Sequence, residues 1–354
     1  MSSPSFANNL VCGAVLAACA AYHAAKMLKG GAPARTAPVD PEVDAKKKLV
    51  VISGCDRGFG YLLAQKLIQN TDYLVLALTL TEKGARALEA ANAVEGRETP
   101  QRLFVRLCDV TSDADVQRAA DSARQIAEEQ SAVLFGLVNN AAILSSGDFL
   151  FFQGIQEHQR VMDVNFFGQL RLTKALLPLM LETSRKLSDW PRIVNTSSVC
   201  GVVSTHANGA YASSKFAVEG WTDALALELE PFAIKVVKMR PGRFQTRIQD
   251  DWPKSFWSNY SKAPDDVQEL YGGKAFEQSL RSFFESVGSA SSLPEPELAV
   301  DALFNVLTSK ATKLRPSYNV GDDAQTLYRA LAMLPESVNQ TLLKAVWFKY
   351  PVEE

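Results

Sequence analysis

From Lys48 onward the chain alternates between short apolar runs and longer segments with helical spacing. The runs are "KLVVIS", "YLVLALT", "LFVRLC", "LFGLVN", "RIVNTS" and "IKVVKM"; segments such as Gly60 to Gln69, Asp113 to Glu129 and Tyr211 to Leu229 lie between them. Runs this short, bounded by turn residues, read as strands, and the intervening segments are long enough to be crossover helices. Six strand-like runs with helices between them predict βαβ units in an α/β fold. The expected architecture is a single-domain Rossmann-type doubly wound parallel sheet with helices on both faces. The domain is expected to span residues 46–320. Beyond Met239 the alternation stops, and a stretch rich in Trp, Phe, Ser and Pro runs to about Pro296. It follows the sixth strand at the carboxyl edge, where such sheets bind ligands, so residues 245–295 are expected to cover substrate. A further helix and strand ("ELAVDALFNVLTS", then "KLRPS") come next. In the tail, 321–354, an apolar helix is expected from Asp323 to about Tyr350, with Pro335 inside it.

Composition excludes several classes. The 354 residues are 47% hydrophobic with a formal net charge of -2, enough for one large core and without the basic footprint of a nucleic-acid binder. Cys12, Cys19, Cys55, Cys108 and Cys200 are odd in number and never form a CxxC pair, against a disulfide framework or structural zinc. With His23, His158 and His206 as the whole supply of imidazole, no metal site is expected. Residues 1–45 read as a hydrophobic anchor and linker. The run from Leu10 to Leu28 is apolar and about long enough to span a bilayer, and "GGAPARTAPVDPEVD" follows it. Lys26, Lys29, Arg35 and Lys46 to Lys48 on its C-terminal side would leave the domain on the cytoplasmic face, with the endoplasmic reticulum as the expected membrane. A cleaved signal peptide would carry a basic n-region, and a mitochondrial presequence, the alternative location, would carry earlier arginines.

Three stretches carry chemistry. "SGCDRGFG" sets Gly54, Gly58 and Gly60 at a strand-to-helix junction, a backbone built for close approach by a phosphate-bearing ligand at a helix N-terminus. "YASSK" places Tyr211 and Lys215 four residues apart on one helical face, and "NTSS" ends the fifth strand with Ser198. A phenol with a pKa of about 10 must drop by about 3 units, roughly 4 kcal/mol, to serve as a base at neutral pH. An ammonium about 4 Å away at an effective dielectric near 20 supplies that amount. Tyr211 with Lys215 is therefore a sensible acid/base pair.

Together these residues resemble the short-chain dehydrogenase/reductase superfamily. Ser53 through Gly60 is similar to its TGxxxGxG motif, Asn139-Asn140-Ala141-Ala142 to its NNAG motif, and Pro241-Gly242 with Thr246 to its PGxxxT segment. Asn165, Ser198, Tyr211 and Lys215 match its catalytic tetrad in order and spacing. The resemblance implies hydride transfer between a nicotinamide and a substrate carbon, with Tyr211 as general acid/base, Lys215 lowering its pKa and binding the nicotinamide ribose, Ser198 orienting the substrate oxygen and Asn165 supporting a water chain. It implies cofactor contacts at Ser53, Gly54, Arg57, Gly58, Phe59, Gly60, Asp109, Val110, Asn139, Ala141, Tyr211, Lys215, Pro241, Gly242 and Thr246.

The cofactor is expected to be NADP or NAD. Thr79 stands where NAD-selective members carry an aspartate, and Arg57 stands where a basic residue often meets the 2'-phosphate, so the balance tilts to NADP. "GCDRGFG", "LTEKGA" and "VNFFG" are most similar to the branch of retinol, 17β-hydroxysteroid and 3-hydroxybutyrate dehydrogenases. Trp252, Phe256, Trp257, Tyr260 and Tyr271 suggest an apolar pocket, and Asn208, where lysine would favour an acidic substrate, argues against a keto acid. The expected partners are a small hydrophobic substrate and, by analogy with the superfamily, a second copy of the chain. The alternatives are a 3-hydroxybutyrate-type dehydrogenase, a non-catalytic nicotinamide-binding sensor or scaffold, and a nucleotide-sugar epimerase. Retention of both Tyr211 and Lys215 favours an enzyme over the sensor. Cys200 is read as packing.

Overall fold

The fold is described from a computed structural model covering residues 38–92, 101–145, 154–246, 252–288 and 293–346. The expected anchor lies outside these residues. Among the described residues, no helix is long and apolar enough to cross a membrane. Residues 39–354 form one compact unit.

Seven strands make one parallel sheet: β1 Lys47–Ser53, β2 Leu74–Thr79, β3 Leu103–Leu107, β4 Ala132–Asn139, β5 Arg192–Thr196, β6 Lys235–Pro241 and β7 Ser317–Val320. Their order is β3-β2-β1-β4-β5-β6-β7, so the winding reverses between β1 and β4. The six runs read from sequence are the first six strands. The seventh lies just beyond its expected place. "KLRPS" contains Pro316, which offers no N–H to a ladder, and pairing starts at Ser317 opposite Lys238.

The helices are α1 Pro41–Asp44, α2 Gly58–Asn70, α3 Glu82–Asn92, α4 Asp113–Glu129, α5 Ile155–Met162, α6 Gly168–Ser184, α7 Gly209–Leu229, α8 Trp252–Tyr260, α9 Asp265–Leu270, α10 Gly273–Gly288, α11 Glu297–Thr308, α12 Asp322–Gln325, α13 Leu327–Met333 and α14 Glu336–Val346. Both sheet faces are covered. Val50, Ile52, Val75 and Val194 pack under Leu63 and Leu67 of α2 and Leu303 and Leu307 of α11. Leu49, Val51, Leu76 and Leu137 pack under α4, α6 and α7 through Val116, Leu172, Leu176 and Leu225. Leu49 to Ile52 are fully buried, as a central parallel strand requires.

The tail differs from the single helix expected. Its described part is three helices, and Pro335, which supplies no N–H, blocks continuation from α13 into α14. Ala324, Tyr328 and Leu331 pack on Val199 and Val203, beside the end of β5. The segment after β6 folds as α8–α10, where Phe256, Tyr260, Phe276 and Leu280 form a small core of their own.

Candidate active site

Parallel strands all end at one edge, and the reversal between β1 and β4 leaves a crevice there. Beyond β1, Gly54 and Gly58 take φ of +71° and +65°, a region that L side chains rarely enter. A Cβ on Gly60 would sit 2.5 Å from the Gly54 carbonyl oxygen, so α2 can start this close to the strand only with glycine. A Cβ on Gly58 would meet nothing within 4 Å, and Arg57 at the N-cap makes no side-chain capping bond. The first-turn N–H groups of α2 thus remain as donors beside open space, an arrangement that fits a dinucleotide pyrophosphate. The turn is pinned from β4: Asn140 and Ala141 donate backbone N–H to the Ser53 hydroxyl at 3.0 and 3.1 Å, and the Asn140 amide donates to the Ser53 and Gly54 carbonyls. Ser53 performs this pinning with its hydroxyl, and Asn140 is a site residue that the sequence reading left within its motif unassigned.

At the end of β2, Thr79 is fully buried and carries no charge. The charge at that place comes from Asp56 inside the glycine turn, whose carboxylate accepts from the backbone N–H groups of Leu80 and Thr81 at 2.8 and 2.9 Å and from the Thr81 hydroxyl at 2.7 Å. Arg57 beside it is exposed. Beyond β3, Asp109 accepts from the backbone and hydroxyl of Thr111, which fixes the loop, and buried Val110 lies against Gly168 at the start of α6. The side chain of Asn139 turns into the sheet, donating to Thr173 and Asn195 at 2.9 and 2.8 Å. Phe59 meets Phe244 edge to face at 5.5 Å, tying α2 to the segment after β6. In that segment Gly242 donates to Val320, Asp323 accepts from the Arg243 N–H, and Thr246 donates to Phe244. Pro241 ends β6 opposite Val320.

The four tetrad positions come together beyond β4 and β5. Asn165 sits in a π-helical segment, Asp163–Phe167, between α5 and α6. Such a bulge re-aims side chains, and this one turns Asn165 inward. Its amide donates to the Ile143 carbonyl (2.9 Å) and the Ser214 hydroxyl (3.0 Å), and its oxygen accepts from the Ile143 N–H (2.8 Å). Ser198 caps a 3-10 turn, Val199–Gly201, by accepting from the Cys200 N–H. Its hydroxyl lies near enough to the Tyr211 phenol to lower the phenol's pKa. Lys215, 1% exposed, donates to the Thr196 carbonyl at 2.9 Å, with its ammonium 5.5 Å from the centre of the Tyr211 ring.

Burial dominates the electrostatics. It pushes Tyr211 well above the ordinary tyrosine value, reinforced by Cys200 and only partly opposed by Ser198. The sequence argument needed the opposite direction. Burial also lowers Lys215 from 10.5 to about 8, against the raising influence of Cys200 and Glu219. Glu219, one turn beyond Lys215, is held by Arg240 through two bonds of 2.8 and 2.6 Å and by Lys238 at 3.2 Å. Neither Glu219 nor Ser214 had a sequence signal, because each acts through a contact with a distant or buried partner. Cys200, read as packing, accepts from the Asn208 amide at 3.1 Å, and burial raises its thiol.

With this geometry in place, comparison with known proteins is decisive. Residues 48–255 match the family described as short chain dehydrogenase. The chain belongs to this family. It is 33% identical over 305 residues, covering 84% of this chain and 87% of the relative, to the Bos taurus protein "Dehydrogenase/reductase SDR family member 9". It is 32% identical over 308 residues, covering 85% and 89%, to the Bos taurus "17-beta-hydroxysteroid dehydrogenase type 6". A solved short chain dehydrogenase/reductase from Burkholderia phymatum, in complex with NAD, shares the fold with a TM-score of 0.61 and 21% identity, over 88% of this chain and 99% of that one. As a family member the chain is an NAD(P)-dependent oxidoreductase of alcohol or carbonyl groups.

Proposed function

We propose that the chain interconverts a hydrophobic secondary alcohol and its ketone, of retinoid or steroid type, with Tyr211 as general acid/base. The observation that carries this reading is the convergence of Asn165, Ser198, Tyr211 and Lys215 at one place, with Ser198 beside the Tyr211 phenol. Ser198 lies beside the phenol, so the oxygen of a substrate seated between them would be oriented by Ser198 and would exchange its proton with Tyr211. When bound, the nicotinamide supplies the carbon that takes or gives hydride and, oxidised, a positive charge. Lys215, held from the Thr196 carbonyl, contributes its own charge from beneath the ring. Asn165 fixes the loop after β4 and, through Ser214, the first turn of α7. The cofactor's pyrophosphate would lie at Gly58 and the α2 N-terminus.

The preference within NAD(P) is proposed to be NADP. Exposed Arg57 has no carboxylate partner among the described residues, whereas the Asp56 charge is already met by three donors. The likeness to a 17-beta-hydroxysteroid dehydrogenase and the aromatic core of α8–α10 support an apolar substrate. A membrane-anchored leader with the domain facing the cytoplasm, at the endoplasmic reticulum, suits such substrates. Exposed Phe167 of the π-helical segment before α6, and exposed Phe216 and Leu227 of α7, support a homodimer through that region.

The test is cofactor turnover by the full chain against retinoids, steroids, short hydroxy acids and linear ketones, with NAD(H) and NADP(H) in parallel. Turnover of a retinoid or steroid that is lost in Tyr211→Phe, while cofactor affinity is kept, is the expected result. Turnover of short hydroxy acids alone would replace the substrate class. Tight cofactor binding with no turnover of any compound would favour a sensor.

A further inference from the structure

Away from the tetrad, a polar cleft of about 490 Å³ opens between the edge strand β7, the end of β6 and α13. Three guanidinium groups line it, from Arg240, Arg315 and Arg329, and no lining residue is acidic. Arg240 is compensated by Glu219 beneath it. Arg315 and Arg329 have no carboxylate partner among the described residues. The cleft therefore carries two uncompensated positive charges on a chain whose formal net charge is -2.

These guanidiniums are also partly preorganised. Arg315 lies over the Tyr318 ring, 4.7 Å from its centre, and Arg240 reaches the Ser317 hydroxyl at 3.3 Å. Arg329 projects from a helix whose Tyr328 and Leu331 are buried against the turn after Ser198. Stacked, planar donors recognise carboxylate, phosphate and sulfate groups in pairs, and ordering them in advance lowers the entropy lost on binding. Of the remaining wall, Ser317, Asn319 and Gln325 are polar, and Val199, Val202 and Met333 supply an apolar part. Neither Tyr211 nor Lys215 lines the cleft, so it is separate from the proposed hydride-transfer centre, although Val199 directly follows Ser198.

We propose that this cleft is a second binding site, for an amphiphilic anion whose carboxylate or phosphate head engages Arg315 and Arg329 and whose apolar part lies on Val199, Val202 and Met333. The head could belong to a free small molecule or to an anionic lipid. The inference stands independently of the proposed substrate.

The experiment uses the full chain with saturating NADPH, so that the cofactor site is filled. Inorganic phosphate and decanoate are titrated by calorimetry, and sedimentation compares phosphatidylserine with phosphatidylcholine vesicles. A variant carrying both Arg315→Ala and Arg329→Ala is run in parallel; both positions are exposed, and its melting temperature without ligand checks its fold. A small anion predicts phosphate binding in the millimolar range, tighter binding of decanoate, and at least about tenfold weaker binding of both in the variant. A lipid head group predicts a preference for phosphatidylserine vesicles that the variant loses. Equal behaviour of wild type and variant in every arm, or no binding in any arm, would overturn the proposal.

Discussion

Replacing Lys215 by Met is expected to stabilise the ligand-free protein while abolishing turnover. Lys215 is 1% exposed, and burial lowers its ammonium from 10.5 to about 8. At ~1.4 kcal/mol per unit, that drop is a penalty of about 3 kcal/mol for carrying the charge in the folded state. The folded protein binds fewer protons than the unfolded chain between pH 8 and 10.5, so stability rises with pH across that window and the full penalty acts below it. Methionine has a similar length and no charge. Its cost is the lost donor to the Thr196 carbonyl, about 1 kcal/mol. The net gain at pH 7 is therefore about 2 kcal/mol, or ~3 °C for a domain of this size.

The assay is thermal unfolding of wild type and Lys215→Met without ligand, at pH 7 and again near pH 10. The variant should melt higher at pH 7, and the difference should shrink at the higher pH as the wild-type amine discharges. Turnover should fall by about two to four orders of magnitude. A variant less stable at pH 7, or a difference that ignores pH, would refute the claim that the ammonium is held at a cost.

Gly60→Ala should weaken cofactor binding by at least about tenfold, because its Cβ would meet the Gly54 carbonyl at 2.5 Å and backbone cannot swing aside; unchanged affinity by fluorescence titration would count against the turn as the pyrophosphate cradle. Glu219→Gln should destabilise the protein at neutral pH. Burial pushes the Glu219 carboxyl up, yet Arg240 and Lys238 together hold it below its ordinary value of 4.5. Its contribution is present above that pH and lost as pH falls through the depressed folded value, so wild type and variant should converge in acid. Parallel denaturation curves at every pH would contradict this.

Much of the fold was legible because a parallel sheet writes itself as separated apolar runs, and each of the six became a strand. The glycine turn was legible for a similar reason: Gly54, Gly58 and Gly60 act within a few residues of one another. What escaped were effects of partners far away in sequence. The role of Asp56 appears only once the end of β2 brings the backbone of Leu80 and Thr81 against it. The apolar periodicity of the tail suggests one helix, yet Pro335 lacks the donor that continuation from α13 into α14 would need.

The pair Tyr211 and Lys215 shows the same boundary most sharply. Four residues of helical spacing bring an ammonium towards a phenol, and from that alone a lowered tyrosine pKa follows. In the folded chain the end of β5 offers a buried carbonyl, and Lys215 takes it at 2.9 Å, leaving its charge 5.5 Å from the ring centre. The phenol is desolvated in the same pocket, and its pKa rises. Tyr211 is therefore expected to remain protonated in the ligand-free protein through pH 9. Ultraviolet difference titration of wild type against Tyr211→Phe should show no phenolate band assignable to this residue below that pH, and a band there would mean that the lysine alone activates the tyrosine. If the band emerges only with oxidised cofactor bound, the missing positive charge comes from the nicotinamide, and the ligand-free pair is a resting state.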